Sequence, residues 1–171
     1  HGSGSSALLV SEIVPLIKAA AIDESWRVRY AIAKMYGSVI SYVPADVCKS
    51  ELFPVAIKLL MDNETDIRVM LCDNILPYFS ITGGEAFLSE IVPIAQLLAD
   101  DTVVNVRKAS ANMLVTLATK CAHESNAQQV NELVTKIMDD EDPLVRLRLI
   151  KNLDLIAAEL PTLCGQLTAT L

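Results

Sequence analysis

Asp23-Glu24-Ser25-Trp26-Arg27-Val28-Arg29 returns three more times along the chain in outline, as Asp62-Asn63-Glu64-Thr65-Asp66-Ile67-Arg68, Asp101-Thr102-Val103-Val104-Asn105-Val106-Arg107 and Asp140-Glu141-Asp142-Pro143-Leu144-Val145-Arg146. The opening Asp and closing Arg recur at a constant step of 39 residues, and Val or Ile always precedes the Arg. Self-similarity at such a period marks a protein built from stacked copies of one small unit.

The columns continue on both sides of this segment. Upstream, Pro15, Pro54 and Pro93 share a register in which Glu132 takes the fourth place. Around them run Ile13, Leu52, Ile91 and Val130, then Leu16, Val55, Ile94 and Leu133, then Ala20, Leu59, Leu98 and Ile137. Within each unit these positions step by three and four, which places them on one face of an α-helix, helix A. Downstream, Val28, Ile32, Tyr36 and Val39, and then Ile67, Leu71, Ile75 and Phe79, trace a second amphipathic run, helix B. In the fourth unit Asp142 before Pro143 combines a capping side chain with a proline at the first helical position, so helix B starts there.

The expected spans are about 7–22, 47–61, 85–99 and 125–138 for the A helices, and about 25–42, 64–81, 103–121 and 143–158 for the B helices. A two-helix unit of this length, with one Asp-to-Arg signature per turn, is of the HEAT class. The fold is therefore expected to be all-α, an α–α superhelix of about four HEAT repeats with no strand. Residues 1–5 read as the remnant of a purification tag. Residues 6–171 form the array, with repeats at about 8–45, 46–83, 84–123 and 124–160 and a further helix starting at 161–171. Gly83-Gly84 falls between repeats as a connector. Neither end carries the polar outer face of a capping repeat, so the expectation is a piece of a longer array whose apolar ends seek partners.

A net charge of −7 sets the chain against nucleic acid and anionic membrane surfaces, both of which would repel it. No apolar run reaches the ~20 residues of a spanning helix. Cys48, Cys72, Cys121 and Cys164 are too scattered for a zinc or redox motif and read as small core residues of a reduced, cytoplasmic or nuclear protein. Beyond the first five residues His123 is the sole histidine, which leaves little scope for a catalytic triad or metal site. No cofactor is expected, and no enzymatic activity.

Because Asp23, Asp62, Asp101 and Asp140, with Arg29, Arg68, Arg107 and Arg146, occur once per repeat, they read as a structural ladder rather than a catalytic pair. Each Arg fork is expected to donate to the Asp carboxylate or turn carbonyls of a neighbouring repeat. Eleven of the 21 acidic residues fall in the A-to-B turns, through charge placement at helix N-termini or as a ridge for basic partners. Trp26 has Thr65, Val104 and Pro143 as column mates and so has no shared core role; it either covers the end of its own repeat or anchors a partner.

At Asp23-Glu24-Ser25-Trp26-Arg27-Val28-Arg29-Tyr30 the chain resembles the scaffold (A, 65 kDa regulatory) subunits of protein phosphatase 2A, and Val145-Arg146-Leu147-Arg148-Leu149-Ile150-Lys151-Asn152-Leu153-Asp154 is similar to a later repeat of the same family. The resemblance runs from about residue 8 to 171 and implies a stretch of middle repeats from a HEAT horseshoe. It further implies a scaffold for protein–protein assembly: A-to-B turns hold a regulatory B subunit, and the catalytic subunit docks on repeats outside this stretch. Ser25, Trp26 and Arg27 match the family's turn; Glu64, Thr65 and Asp66 occupy the same register in the next repeat and are expected to share in partner binding. The third turn, Thr102-Val103-Val104-Asn105, is more apolar than the family pattern. The alternative reading is a HEAT or armadillo-type adaptor or transport receptor binding basic peptides; a small enzyme is a third.

Overall fold

The computed structural model describes residues 9–82, 85–120 and 127–159. Among these every regular element is helical. Residues 1–5, Gly83-Gly84, Cys121, His123, Cys164 and the expected helix at 161–171 lie outside the described residues. The chain divides into two compact units, His1–Gly83 and Gly84–Leu171.

In the first unit a π-helical turn at Leu9–Ile13 leads into α1 (Val14–Ala20), followed by α2 (Trp26–Ile40). Next come α3 (Ala45–Val47), a second π-helical turn (Cys48–Leu52) and α4 (Phe53–Leu60) as one interrupted rod, then α5 (Thr65–Asn74) and α6 (Leu76–Thr82). Helix α2 packs on α5 and α6, and α4 on α5. The core between them is made of the periodic apolar residues, among them Ala33, Ile40, Leu52, Leu59, Ile67 and Leu71, all buried. The second unit holds α7 (Glu85–Ala99), α8 (Val104–Lys120), α9 (Ala127–Met138), α10 (Pro143–Ile150) and α11 (Leu153–Glu159). Helix α8 is its centre and touches all four others. Val106, Met113, Leu114 and Leu117 are buried along it.

Three departures from eight plain helices have local causes. The two π-helical turns end two residues before Pro15 and Pro54, in the same register. Proline lacks an N–H and its ring crowds the carbonyl four residues back, and widening the preceding turn relieves both problems. Phe53 N–H accordingly bonds the Cys48 carbonyl, five residues back. Pro93 by contrast lies inside the continuous α7.

Second, the B helices expected at 64–81 and 143–158 are each in two pieces. Asn74 and Asn152, which share a column, turn their side-chain amides back onto the carbonyls of Met70 (2.8 Å) and Arg148 (2.9 Å). Such a bond competes with the helical backbone ladder, and α5 ends at Asn74 while the break between α10 and α11 falls at Lys151-Asn152. Pro77 then reinforces the first break.

Third, α2 carries Gly37 where α5 ends. A Cβ there would stand 2.6 Å from the Asn74 carbonyl oxygen and 3.3 Å from Pro77 Cγ, so only glycine lets the two backbones approach this closely.

Candidate protein-binding turns

Each A-to-B turn is built by its Asp. The carboxylate accepts the backbone N–H two residues on, from Ser25 (2.8 Å), Glu64 (2.9 Å), Val103 (2.8 Å) and Asp142 (2.8 Å). This is the Asx turn that short acidic side chains favour. Asp142 also caps α10 by accepting Leu144 N–H at 2.7 Å.

The Arg six residues after each Asp binds its own turn, and Arg29 and Arg107 bind on a second side as well. Its Nη1 donates to the carbonyls of its own turn: Arg29 to Asp23 and Glu24, Arg68 to Asp62 and Asn63, Arg107 to Asp101, and Arg146 to Asp140 and Glu141. These carbonyls lie in the turn just past the end of the preceding A helix. The expectation that the turn carbonyls come from a neighbouring repeat is therefore corrected, because the short Asp-to-Arg offset folds the guanidinium back over its own turn.

The other edge of the fork reaches the next repeat. In the first unit Arg29 donates through Nε (2.7 Å) and Nη2 (3.0 Å) to Asp62. In the second unit Arg107 does the same to Asp140 (2.8 and 3.2 Å), with Glu141 at 3.3 Å. Burial alone would raise the Asp62 and Asp140 carboxyls. The Arg hydrogen bonds, the turn amides and the charges of Arg29 with Arg68, or Arg107 with Arg146, outweigh it and hold both below the usual carboxylate range. The same hydrogen bonds hold the Arg29 and Arg107 guanidiniums above their usual value.

Ser25, Trp26 and Arg27 are exposed at the start of α2. The Arg27 guanidinium sits 4.8 Å over the Trp26 ring, and the ring meets Tyr30 edge-on at 6.4 Å. Those contacts fix one orientation of an indole that stays 38% exposed. In the same register at the start of α5, which packs on α2, Glu64 and Asp66 are exposed and Thr65 is half-buried.

The two units differ in what their turns present. The column before each Asp reads Ile22, Met61, Asp100, Asp139. Ile22 and Met61 are exposed and line a 430 Å³ groove of the first unit with Asp23, Glu24 and Asp62. In the second unit Asp100, Asp139 and Glu141 line a 660 Å³ groove with Lys136, which pairs with Asp100. The turns of both units are acidic, and those of the first unit add the apolar and aromatic side chains of Ile22, Trp26 and Met61. Sequence reading weighed the acids as one class and missed Ile22 and Met61; comparing that one column across repeats would have found them.

Other groups lie away from the turns. Cys48 and Cys72 are buried thiols, and burial pushes the Cys48 thiol up, away from reactivity. No cluster of His, Cys, Asp and Glu suited to a metal ion occurs among the described residues, and no described helix is long and apolar enough to cross a membrane.

Residues 45–121 match the family described as PPP2R1A-like HEAT repeat. The chain is 22% identical over 146 residues to the A-type regulatory subunit of protein phosphatase PP2A from Saccharomyces cerevisiae, an overlap of 85% of this chain and 23% of that protein. It is 28% identical over 111 residues to the beta isoform of the 65 kDa A-type regulatory subunit of serine/threonine-protein phosphatase 2A from Homo sapiens, covering 63% of this chain and 18% of that one. The chain therefore spans less than a quarter of the length of these curated relatives. The chain is an all-α helical-repeat protein, similar to the A-type regulatory subunits of protein phosphatase 2A.

Proposed function

We propose that this chain serves as part of a phosphatase scaffold, in which the turns of the first unit hold a regulatory subunit while the catalytic subunit docks on repeats outside residues 1–171. The observation that carries the reading is the Trp26 ring, exposed yet held by Arg27 and Tyr30, in a unit whose turns also expose Ile22 and Met61. A rigid aromatic next to a guanidinium offers apolar contact and directional donors at low entropic cost, the make-up of an interface hot spot. Similarity to two A-type regulatory subunits supports a protein as the partner.

The test is affinity capture from lysate with the full-length scaffold. Trp26→Ala and Arg27→Ala should each weaken capture of a phosphatase regulatory subunit by a hot-spot amount, ~1–3 kcal/mol, and leave capture of the catalytic subunit intact. Retention of full regulatory-subunit binding by both folded variants, or loss of the catalytic subunit first, would overturn the assignment. A cytoplasmic location, with the nucleus as a second compartment, belongs to the same proposal.

The acidic groove of the second unit favours a second reading, an adaptor that holds basic peptides there. Charge-reversal of Asp100 and Asp139 separates the two: it should leave regulatory-subunit capture unchanged and abolish basic-peptide binding only if the adaptor reading holds.

A further inference from the structure

The two units build one groove twice, from different side chains. Each of the nine residues lining the 430 Å³ groove of the first unit has its counterpart 78 positions on, two repeats of 39, in the 660 Å³ groove of the second. Both grooves lie between the turns of two consecutive repeats, over the Arg29–Asp62 or the Arg107–Asp140 joint, so both walls of each are made of described residues.

Lys58 and Lys136 are counterparts, and their surroundings differ. Lys136 pairs with Asp100 across the second groove. In the first groove Ile22 takes the place of Asp100, and Met61 that of Asp139. Two apolar side chains, 60% and 47% exposed, thus stand where the second unit has carboxylates, and Lys58 forms no ion pair among the described residues. Two of the acids that line the first groove are already engaged: Asp62 takes the Arg29 fork at 2.7 and 3.0 Å, and Asp23 takes the Ser25 amide at 2.8 Å. Beside its counterpart the groove lacks the carboxylate that answers the lysine and has exposed apolar surface in exchange.

We infer that the Ile22–Met61 groove docks a segment of a partner protein that carries an apolar side chain with one Asp or Glu beside it. The apolar group lies against Ile22 and Met61, and the carboxylate meets Lys58 as Asp100 meets Lys136. This rests on the reading that the turns of the first unit hold a protein partner. Removing the apolar surfaces from water supplies affinity, and the lysine selects the segment by charge. Glu24, exposed in the same groove, repels a run of acids, so the occupant brings a single carboxylate and not an acidic tract.

Equilibrium binding of a purified phosphatase regulatory subunit to the full-length scaffold tests this. Lys58→Glu should weaken binding roughly tenfold, equal to ~1.4 kcal/mol, whereas Lys58→Arg should retain it. Ile22→Asp should weaken it too, because the new carboxylate gives Lys58 an internal partner and takes away an apolar wall. Parent binding should fall as salt rises, and binding of Lys58→Ala should fall less. Both positions are exposed, so melting curves that match the parent would assign these losses to the interface. Unchanged or tighter binding by Lys58→Glu, while Trp26→Ala still weakens it, overturns the inference and leaves the scaffold reading standing; tighter binding would point to a basic occupant. A parent scaffold that binds no regulatory subunit overturns both.

Discussion

Arg107 and Asp140 meet as fork and carboxylate across two repeats, with Nε and Nη2 at 2.8 and 3.2 Å and both side chains less than a tenth exposed. The same guanidinium binds the Asp101 carbonyl of its own turn. One side chain thereby sets the shape of a turn and the register of its neighbour.

Removing that fork leaves Asp140 a half-satisfied buried carboxylate. Arg107→Ala should destabilise the chain by about 1–3 kcal/mol, and Arg107→Lys should recover only part of the loss because an ammonium cannot grip both oxygens. Chemical denaturation reads both. Unchanged midpoints would mean that the column decorates the surface.

Acid should unfold the chain through the same joints. The Asp62 and Asp140 carboxyls titrate below the usual ~3.9 of an unfolded chain, so the native state binds fewer protons there than the unfolded state. The stability they add is complete above the unfolded value and is lost as pH falls through the folded one. Asp140→Asn should therefore cost stability at neutral pH, with the difference from the parent chain narrowing as pH drops below about 4. Melting temperatures measured from neutral to acid pH would show it; a difference that stays constant would place the acid limb elsewhere.

Gly37→Ala should run against helix propensity. In an open helix the change gains up to ~1 kcal/mol. Here the new Cβ would meet the Asn74 carbonyl at 2.6 Å, so a net loss of about 1–3 kcal/mol is expected as α2 and α5 are forced apart. Thermal unfolding that rises instead would show that the helices separate freely.

Tyr36 and Tyr78 donate their hydroxyls to the Leu52 (2.9 Å) and Cys48 (3.3 Å) carbonyls, the two ends of the second π-helical turn. Burial pushes the Tyr36 hydroxyl up, so it is a protonated donor at neutral pH. Tyr36→Phe removes a donor from a buried carbonyl and should cost about 1–2 kcal/mol. Equal stability of the variant and the parent chain would mean that another group satisfies Leu52.

The sequence by itself determined whatever recurs. Helix A, the turn and helix B are local, and copying them every 39 residues writes their columns into the chain, so Asp23, Arg29 and their mates were legible without coordinates. The amino-acid pattern also signalled that Asp142 with Pro143 would open a helix. Tertiary structure alone decided the features that occur once. Gly37 matters because α5 crosses it, and Tyr36 because Leu52 lies opposite; neither has a column mate of its type. The split of the Arg29 and Arg107 forks between their own turn and the next repeat depends on side-chain direction, which spacing does not encode. Likewise the sequence marked Trp26 as unusual, but packing decided that Arg27 and Tyr30 hold its ring at the surface and that Ile22 and Met61 stay exposed. Periodicity records the contacts that every repeat makes, whereas a single contact between distant residues leaves no pattern and appears only once the chain has folded around it.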